Sequence, residues 1–143
     1  MFAAERHCKQ KEILDAIESG VIVLIDRYVF SGIAYGCASG VGRLFCYDIN
    51  NGLVKPDLTI LLDSSPDLFV ERKFDLHEQP ENVGFQRDVI EEYKNLADDD
   101  WLVLDASDSV QDIKKKIFTR ALQTIRSLED LTSYQRLSNA HLR

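Results

Sequence analysis

The segment Val21-Ile22-Val23-Leu24-Ile25-Asp26-Arg27-Tyr28 decides the fold class of this 143-residue chain. Its first five residues form a continuous apolar run, mostly β-branched, that ends at an aspartate. Two later runs have the same character: Leu58–Leu62, followed by Asp63, and Trp101–Leu104, followed by Asp105. Continuous apolar runs of this length are typical of strands buried on both faces of a parallel sheet. The runs therefore predict parallel strands that each end at an acidic residue.

The segments between the apolar runs have helical spacing of their apolar residues. We predict helices over Ala3–Glu18, with Gly20 as the C-terminal cap, over Phe85–Ala97, and from Ser109 onward. Alternating strands and helices are the mark of a doubly wound α/β fold, in which ligands bind beyond the carboxyl ends of the strands.

Two polar segments are predicted to be long loops. They are Ser39–Pro56, rich in glycine and asparagine, and Lys73–Val83, which contains Pro80. Such loops often form lids or site walls, although simple surface loops are commoner. We predict a single domain over residues 1–127 and a polar tail over residues 128–143.

The composition narrows the function classes. The chain has 17 Lys and Arg against 24 Asp and Glu, a net charge of −7, which argues against a general nucleic-acid-binding surface. It contains neither an apolar run of membrane-spanning length nor a secretory signal pattern. The three cysteines form no C-x-x-C pair, which favours a reducing compartment. We expect the cytoplasm, with the nucleus or mitochondrion as alternatives.

The strongest local signal is the pair Asp26-Arg27 at the end of the first apolar run. The arginine offers a planar fork of donors that matches phosphate oxygens. The carboxylate could hold a magnesium-bound water. A structural salt bridge or a helix start would explain the same pair, and the pair alone does not decide between these interpretations.

A resemblance to a known family rests on motifs spread along the chain. The segment Asp26–Tyr35 resembles the thymidylate kinase signature DR-[YF]-x-x-S-[GS]-x-A-[YF], and Phe2–Arg6 resembles the family's F-[AS]-A-[ND]-R helix. Further matches follow in family order: Lys55–Leu58, Glu81-Asn82, Phe85-Gln86 and Asp105–Ser107. The resemblance runs from Phe2 to about Arg126, and it implies a eukaryotic-type member with the parallel sheet and flanking helices of P-loop kinases.

The resemblance also implies roles for single residues. Phe2 matches the aromatic that stacks on thymine, and Arg6 matches the arginine that hydrogen-bonds a thymine carbonyl. Arg27 matches the arginine that binds the acceptor phosphate, and Asp26 matches the acid that reaches magnesium through water; these two are the implied catalytic residues. Ser31, Gly32 and Tyr35 match the wall beside sugar and base. Gln86 matches a residue near the base or sugar, and Arg72 matches the arginine that packs on adenine.

Three of these assignments have structural alternatives that the sequence leaves open. Phe2 could be a hydrophobic staple or a frayed end, and Gln86 could be a solvated helix residue. Arg72 could be a helix arginine whose stem covers apolar surface.

The chain also departs from the family pattern. No G-x-x-x-x-G-K-[ST] motif occurs in it, and Gln79-Pro80 occupy lid positions where eukaryotic relatives carry Arg-Tyr. The resemblance therefore implies an N-terminally truncated domain that lacks the phosphate loop and the first strand. We expect such a chain to bind thymidine monophosphate (dTMP), to be inactive by itself, and to be unstable because strand edges are left unpaired.

The family reaction implied by the resemblance is ATP + dTMP to ADP + dTDP, with ATP and Mg²⁺ as cofactors and a homodimer as the assembly. Neither nucleic acid nor a membrane is an expected partner. Two alternatives stay open: a non-catalytic product that survives as a dimerising or binding partner, and a different nucleotide-binding α/β domain.

Overall fold

The computed structural model describes residues 2–64 and 83–128, apart from the side chains of Phe2 and Val83. The chain divides between Lys55 and Pro56 into two compact units. Three helices lie in the first unit: α1 (Phe2–Glu18), α2 (Val29–Ala38) and α3 (Arg43–Asp48). The second unit contains β1 (Ile60–Asp63), α4 (Val83–Leu96), β2 (Leu102–Asp105) and α5 (Val110–Leu128).

Helix α1 ends as the sequence predicts. Gly20 has a φ of 76°, in the left-handed region that glycine adopts without steric cost. Its N–H donates to the carbonyl of Ile17 at 2.9 Å, and the N–H of Val21 donates to that of Ala16 at 3.0 Å. This pair of bonds satisfies the last carbonyls of the helix and turns the chain out of it.

The core of the first unit forms around α2. Val29, Ile33 and Ala34 on this helix are fully buried, as is Leu53 downstream. Gly36 lets α3 approach closely, since a Cβ there would lie 2.8 Å from the Sγ of Cys46. The apolar face of α2 is thus the main packing surface of this unit.

The predicted loop over Ser39–Pro56 is wrong in part, because α3 lies inside it. This helix has only six residues and no side-chain cap, so local pattern could not reveal it. Tertiary packing stabilises it, because Cys46 and Tyr47 are buried.

In the second unit, β1 and β2 pair in parallel, with Ile60 opposite Leu102 and Asp63 opposite Asp105. The ladder extends beyond the strands, where the N–H of Ala106 donates to the carbonyl of Asp63 at 2.7 Å. Two of the predicted strands are therefore confirmed, and the parallel sheet with flanking helices confirms the α/β class.

The prediction of a strand at Val21–Ile25 is wrong. These residues have no regular secondary structure. Ile22 and Leu24 are 72% and 94% exposed, although a central strand would bury them. The physical reason is that a strand needs a partner for its backbone donors and acceptors, and an apolar sequence alone does not supply one.

Helix α5 begins as predicted at a serine cap. Ser109 Oγ accepts a hydrogen bond from the N–H of Asp112 at 3.1 Å and donates to the Asp112 carboxylate at 2.7 Å.

Across the described helices, we find none that is both long and apolar enough to cross a membrane. The loop Lys73–Val83, the motif Glu81-Asn82 and the tail from residue 129 lie essentially outside the described residues.

Candidate functional site

Arg6 projects from α1 onto a buried asparagine. Its Nε and Nη2 both donate to Oδ1 of Asn50, at 3.1 and 2.8 Å. Asn50 is fully buried, and its Nδ2 donates to the carbonyl of Cys46 at 2.7 Å. Burial lowers the pKa of Arg6 from its usual value, while Tyr28 and Glu5 partly offset this. The side chain is therefore held by directed hydrogen bonds in a half-buried position.

Gly32 lies directly against this guanidinium. A Cβ at position 32 would be 2.5 Å from Arg6 Nη2, closer than side chains approach in proteins, so only glycine leaves room for the observed position of Arg6. The resemblance implied that Gly32 belongs to the wall beside sugar and base, where a glycine lets a neighbouring group approach closely. In this structure, the group that approaches it is the side chain of Arg6.

Arg27 has an unusual backbone and a directed side chain. Its φ is 61°, the sole positive value at a non-glycine position among the residues described. Such a conformation is strained for a residue with a Cβ and is found preferentially at functional sites. The guanidinium carbon lies 4.7 Å from the ring centroid of Tyr35, within the range of a cation–π interaction.

The two structural alternatives for Asp26-Arg27 find no support in the geometry. Within residues 2–64 and 83–128, Arg27 forms no ion pair with a carboxylate. Asp26 does not begin α2 either, because the N-cap is Tyr28 and no side chain caps the helix. The face of the Arg27 guanidinium rests on the aromatic ring of Tyr35.

Arg6 and Arg27 converge on one face of α2. Their contacts there, Gly32 and Tyr35, are three residues apart, a spacing that places them on the same side of a helix about 4.5 Å apart along its axis. The two guanidinium groups therefore form a cationic strip along this helix, although they are 21 positions apart in sequence. Ser31 of the same helix is half-buried.

The remaining predicted site residues are placed as follows. Asp26 is exposed, and the described residues contain no cluster of three His, Cys, Asp or Glu side chains that could hold a metal. Gln86 is buried in α4 of the second unit, so a solvated helix residue is the wrong interpretation of it. The side chain of Phe2, Arg72 and the lid residues Gln79-Pro80 lie outside the described residues.

Sequence reasoning missed Asn50. In the run Asn50-Asn51-Gly52, asparagine next to glycine is typical of a turn, and this interpretation hides a buried side chain. No local signal identifies it, because its partner Arg6 is 44 residues away.

Sequence reasoning also missed Tyr28, whose hydroxyl is buried and has no hydrogen-bond partner among the residues described. Burial raises the pKa of Tyr28, and the nearby charge of Arg6 opposes this. A buried polar group without a partner destabilises the folded state by roughly 1–3 kcal/mol.

We therefore expect Tyr28→Phe to leave the free energy of unfolding unchanged or to raise it by about 1 kcal/mol, as measured by denaturant unfolding. Tyr47→Phe is the matched control, because that buried hydroxyl accepts a bond from Arg43 Nη1 at 3.4 Å and should lose stability. A larger loss for Tyr28→Phe than for Tyr47→Phe would contradict this expectation.

The second unit contains a separate cleft of about 650 Å³ at the carboxyl ends of its strands. Asp63 and Asp105 line it, together with Arg87 and Lys94 of α4. Lys94 forms an ion pair with Asp63 at 3.3 Å. Hydrogen bonds from Ser107 lower the pKa of Asp105 from its usual value. This position agrees with the rule that ligands bind beyond the carboxyl ends of parallel strands.

Comparison with known proteins gives one consistent result. The model of the family described as thymidylate kinase matches residues 1–117. Thymidylate kinase of Arabidopsis thaliana is 34% identical over 117 residues, or 82% of this chain and 44% of that protein. The enzyme of Dictyostelium discoideum is 32% identical and the probable thymidylate kinase of Archaeoglobus fulgidus 36%; this chain covers 53% and 62% of their lengths. The chain thus spans about half the length of the first relatives that it matches.

The fold agrees with this result. The structure of thymidylate kinase from Candida albicans superposes with a TM-score of 0.74 at 23% identity, over 96% of this chain and 70% of that one. This likeness concerns the fold, and the family match over residues 1–117 shows that the chain belongs to the thymidylate kinase family.

Proposed function

We propose that the first unit binds the acceptor nucleotide of a thymidylate kinase, dTMP. The observation that carries this proposal is the state of Arg27. Its guanidinium lies over Tyr35, and it has no carboxylate partner among the described residues. Its backbone φ of 61° is one that folding alone does not favour. An arginine held in this way presents its donors to a phosphate oxygen.

The base would lie toward Arg6. This guanidinium is anchored on Asn50, and it is on the same face of α2 as Arg27. A guanidinium carries donors and no acceptor, so it matches the carbonyl oxygens of a thymine ring. Arg27 at one end of the strip and Arg6 at the other would thus bind the phosphate and the base of one nucleotide.

The reaction proposed for this site is transfer of the γ-phosphoryl group of ATP to the phosphate of dTMP, as part of dTTP biosynthesis in the cytoplasm. Mg²⁺ usually takes one or two carboxylates and completes its shell with nucleotide phosphates and water. Asp26, which is exposed beside Arg27, could supply one such contact through water. Magnesium would neutralise charge on the phosphates, while Arg27 would hold and orient the accepting phosphate.

The donor side of this reaction needs contacts that the 143 residues do not visibly supply. They contain no G-x-x-x-x-G-K-[ST] motif, and Arg72 is the only adenine contact that the resemblance provides. We therefore propose acceptor binding as the activity of this polypeptide itself. A homodimer is the proposed assembly, and light scattering of the purified chain tests it.

Calorimetric titration with dTMP tests the proposal, and Arg27 is the residue to change. Arg27→Ala should weaken binding ten-fold or more, since a hydrogen bond to a charged group contributes about 1.5–3 kcal/mol. Arg27→Gly should weaken it equally but relieve the backbone strain, so its free energy of unfolding should not fall below that of the wild type.

The glycine variant separates binding from folding. If both variants bind dTMP as tightly as the wild type, Arg27 is not the phosphate ligand. If the wild type binds inorganic phosphate and dTMP with equal affinity, the site does not recognise the nucleoside.

A further inference from the structure

We propose that Asn50 is a positioning residue that holds the guanidinium of Arg6 in a single orientation, and that it thereby sets which base the site accepts. The inference rests on the proposed function for its ligand. Its geometric basis is the set of hydrogen bonds made by Asn50, a residue that the sequence motifs do not include. Asn50 belongs to none of the matched motifs, and it follows α3 at a distance of 44 residues from Arg6.

The amide of Asn50 can take only one orientation. Its Nδ2 donates to the carbonyl of Cys46 at 2.7 Å, and its Oδ1 accepts from both Nε and Nη2 of Arg6. A flipped amide would set its NH₂ group against the guanidinium and its oxygen against a carbonyl, which loses all of these bonds. Because Asn50 is fully buried, water could not replace them.

The guanidinium is confined from a second side by Gly32. The backbone there is so close to Arg6 Nη2 that even a methyl group would not fit. Arg6 cannot rotate away from Asn50 into this space. With Nε and one Nη2 hydrogen bonded to Asn50, the donors left for a ligand are on Nη1 and on the other Nη2 hydrogen.

This arrangement favours one class of base. A fixed set of N–H donors accepts a ring carbonyl, such as the 4-oxo group of thymine or uracil. It opposes the 4-amino group of cytosine, because two donors would then face each other without an acceptor. If Arg6 could turn freely, it would move away from the amino group, and the discrimination would decrease. Asn50 therefore acts on base selection through Arg6 and without touching the base.

The test compares dTMP and dCMP in calorimetry for two variants at this position. Asn50→Leu keeps the branching at Cγ but has no acceptor, whereas Asn50→Asp keeps an oxygen toward Arg6. We expect Asn50→Leu to weaken dTMP binding at least ten-fold and to bring the dTMP-to-dCMP affinity ratio close to one. We expect Asn50→Asp to keep most of that ratio.

Gln10→Leu is the matched control. The Oε1 of Gln10 accepts the N–H of Val54 at 3.2 Å, so it also ties α1 to the segment after α3, but through a bond in which Arg6 takes no part. If Asn50 had a merely structural role, Asn50→Leu would lower the affinity for both nucleotides equally. The dTMP-to-dCMP affinity ratio of Asn50→Leu would then equal that of Gln10→Leu. That result would overturn the inference.

A ligand-free measurement separates this inference from the proposed function. In ¹⁵N NMR, the Nε–H of Arg6 should exchange with water at least ten-fold more slowly in the wild type than in Asn50→Leu. Equal exchange in both would overturn the positioning of Arg6. If the wild type binds neither nucleotide but protects this proton, the proposed function and the base selection fail, while the positioning of Arg6 stands.

Discussion

The purified 143-residue polypeptide is expected to transfer no measurable phosphoryl group from ATP to dTMP. The P-loop motif provides the backbone N–H groups and the lysine that hold the donor phosphates, and the sequence does not contain it. The lid positions carry Gln79-Pro80, so they supply no arginine for the charge of the transition state. One missing arginine of that kind lowers the rate by a factor of about 10³–10⁵. The coupled assay for ADP should therefore stay at its background.

Contaminating host kinase is the main risk in that assay, and Arg27→Ala controls for it. Background turnover that is the same in the wild type and in Arg27→Ala comes from another protein. The Arabidopsis thaliana relative, assayed in parallel, shows that the assay detects an active family member. Turnover at an ordinary kinase rate of about 1–100 s⁻¹ that Arg27→Ala abolishes would show the prediction wrong.

The second large effect is expected on stability. The exposed segment Val21–Ile25 should make the isolated polypeptide weakly stable and prone to self-association. Four of its five side chains, all except that of Val23, are exposed to solvent. Burying each of them would contribute roughly 1.5–3 kcal/mol, which sums to about 6–12 kcal/mol. A whole domain is stable by only about 5–15 kcal/mol. An unpaired apolar segment is also a template for strand pairing between copies.

Lysine substitutions on the most exposed positions test this. Ile22→Lys combined with Leu24→Lys should raise the highest concentration at which the polypeptide is still monomeric in sedimentation. The same double substitution should reduce the binding of a hydrophobic dye. Val110→Lys is the matched control, because Val110 is 77% exposed but lies in a helix, α5, and not in an unpaired extended segment. A wild type that is monomeric, unfolds sharply and does not respond to the paired lysines would contradict the expectation.

The helices and their ends follow from local chemistry. Gly20 and Ser109 mark the end of α1 and the start of α5 because their backbone and side-chain preferences act within one helical turn. The runs Leu58–Leu62 and Trp101–Leu104, which overlap β1 and β2, are recognisable because short apolar runs that end at an aspartate are typical of parallel strands. The family motifs were likewise recognisable from the order of residues alone.

Other features depend on residues that are far apart in sequence. Val21–Ile25 has the same apolar pattern as the confirmed strands, yet it forms none, because backbone pairing requires a second strand. Helix α3 was hidden because its six residues are stabilised by packing against α2 rather than by their own propensity. In both cases the local sequence was ambiguous, and the partner decided the outcome.

For the site, residue order alone identified Arg6, Arg27, Gly32 and Tyr35 as candidates for nucleotide recognition, through their resemblance to thymidylate kinase motifs. Only the tertiary structure decided how they act: Arg27 lies over Tyr35, Arg6 lies against Gly32, and Asn50 orients Arg6. The physical reason is that a hydrogen bond or a cation–π contact is a relation between two groups in space. Sequence patterns report helical and strand periodicity within a segment, and they carry no direct record of which distant side chain completes a bond.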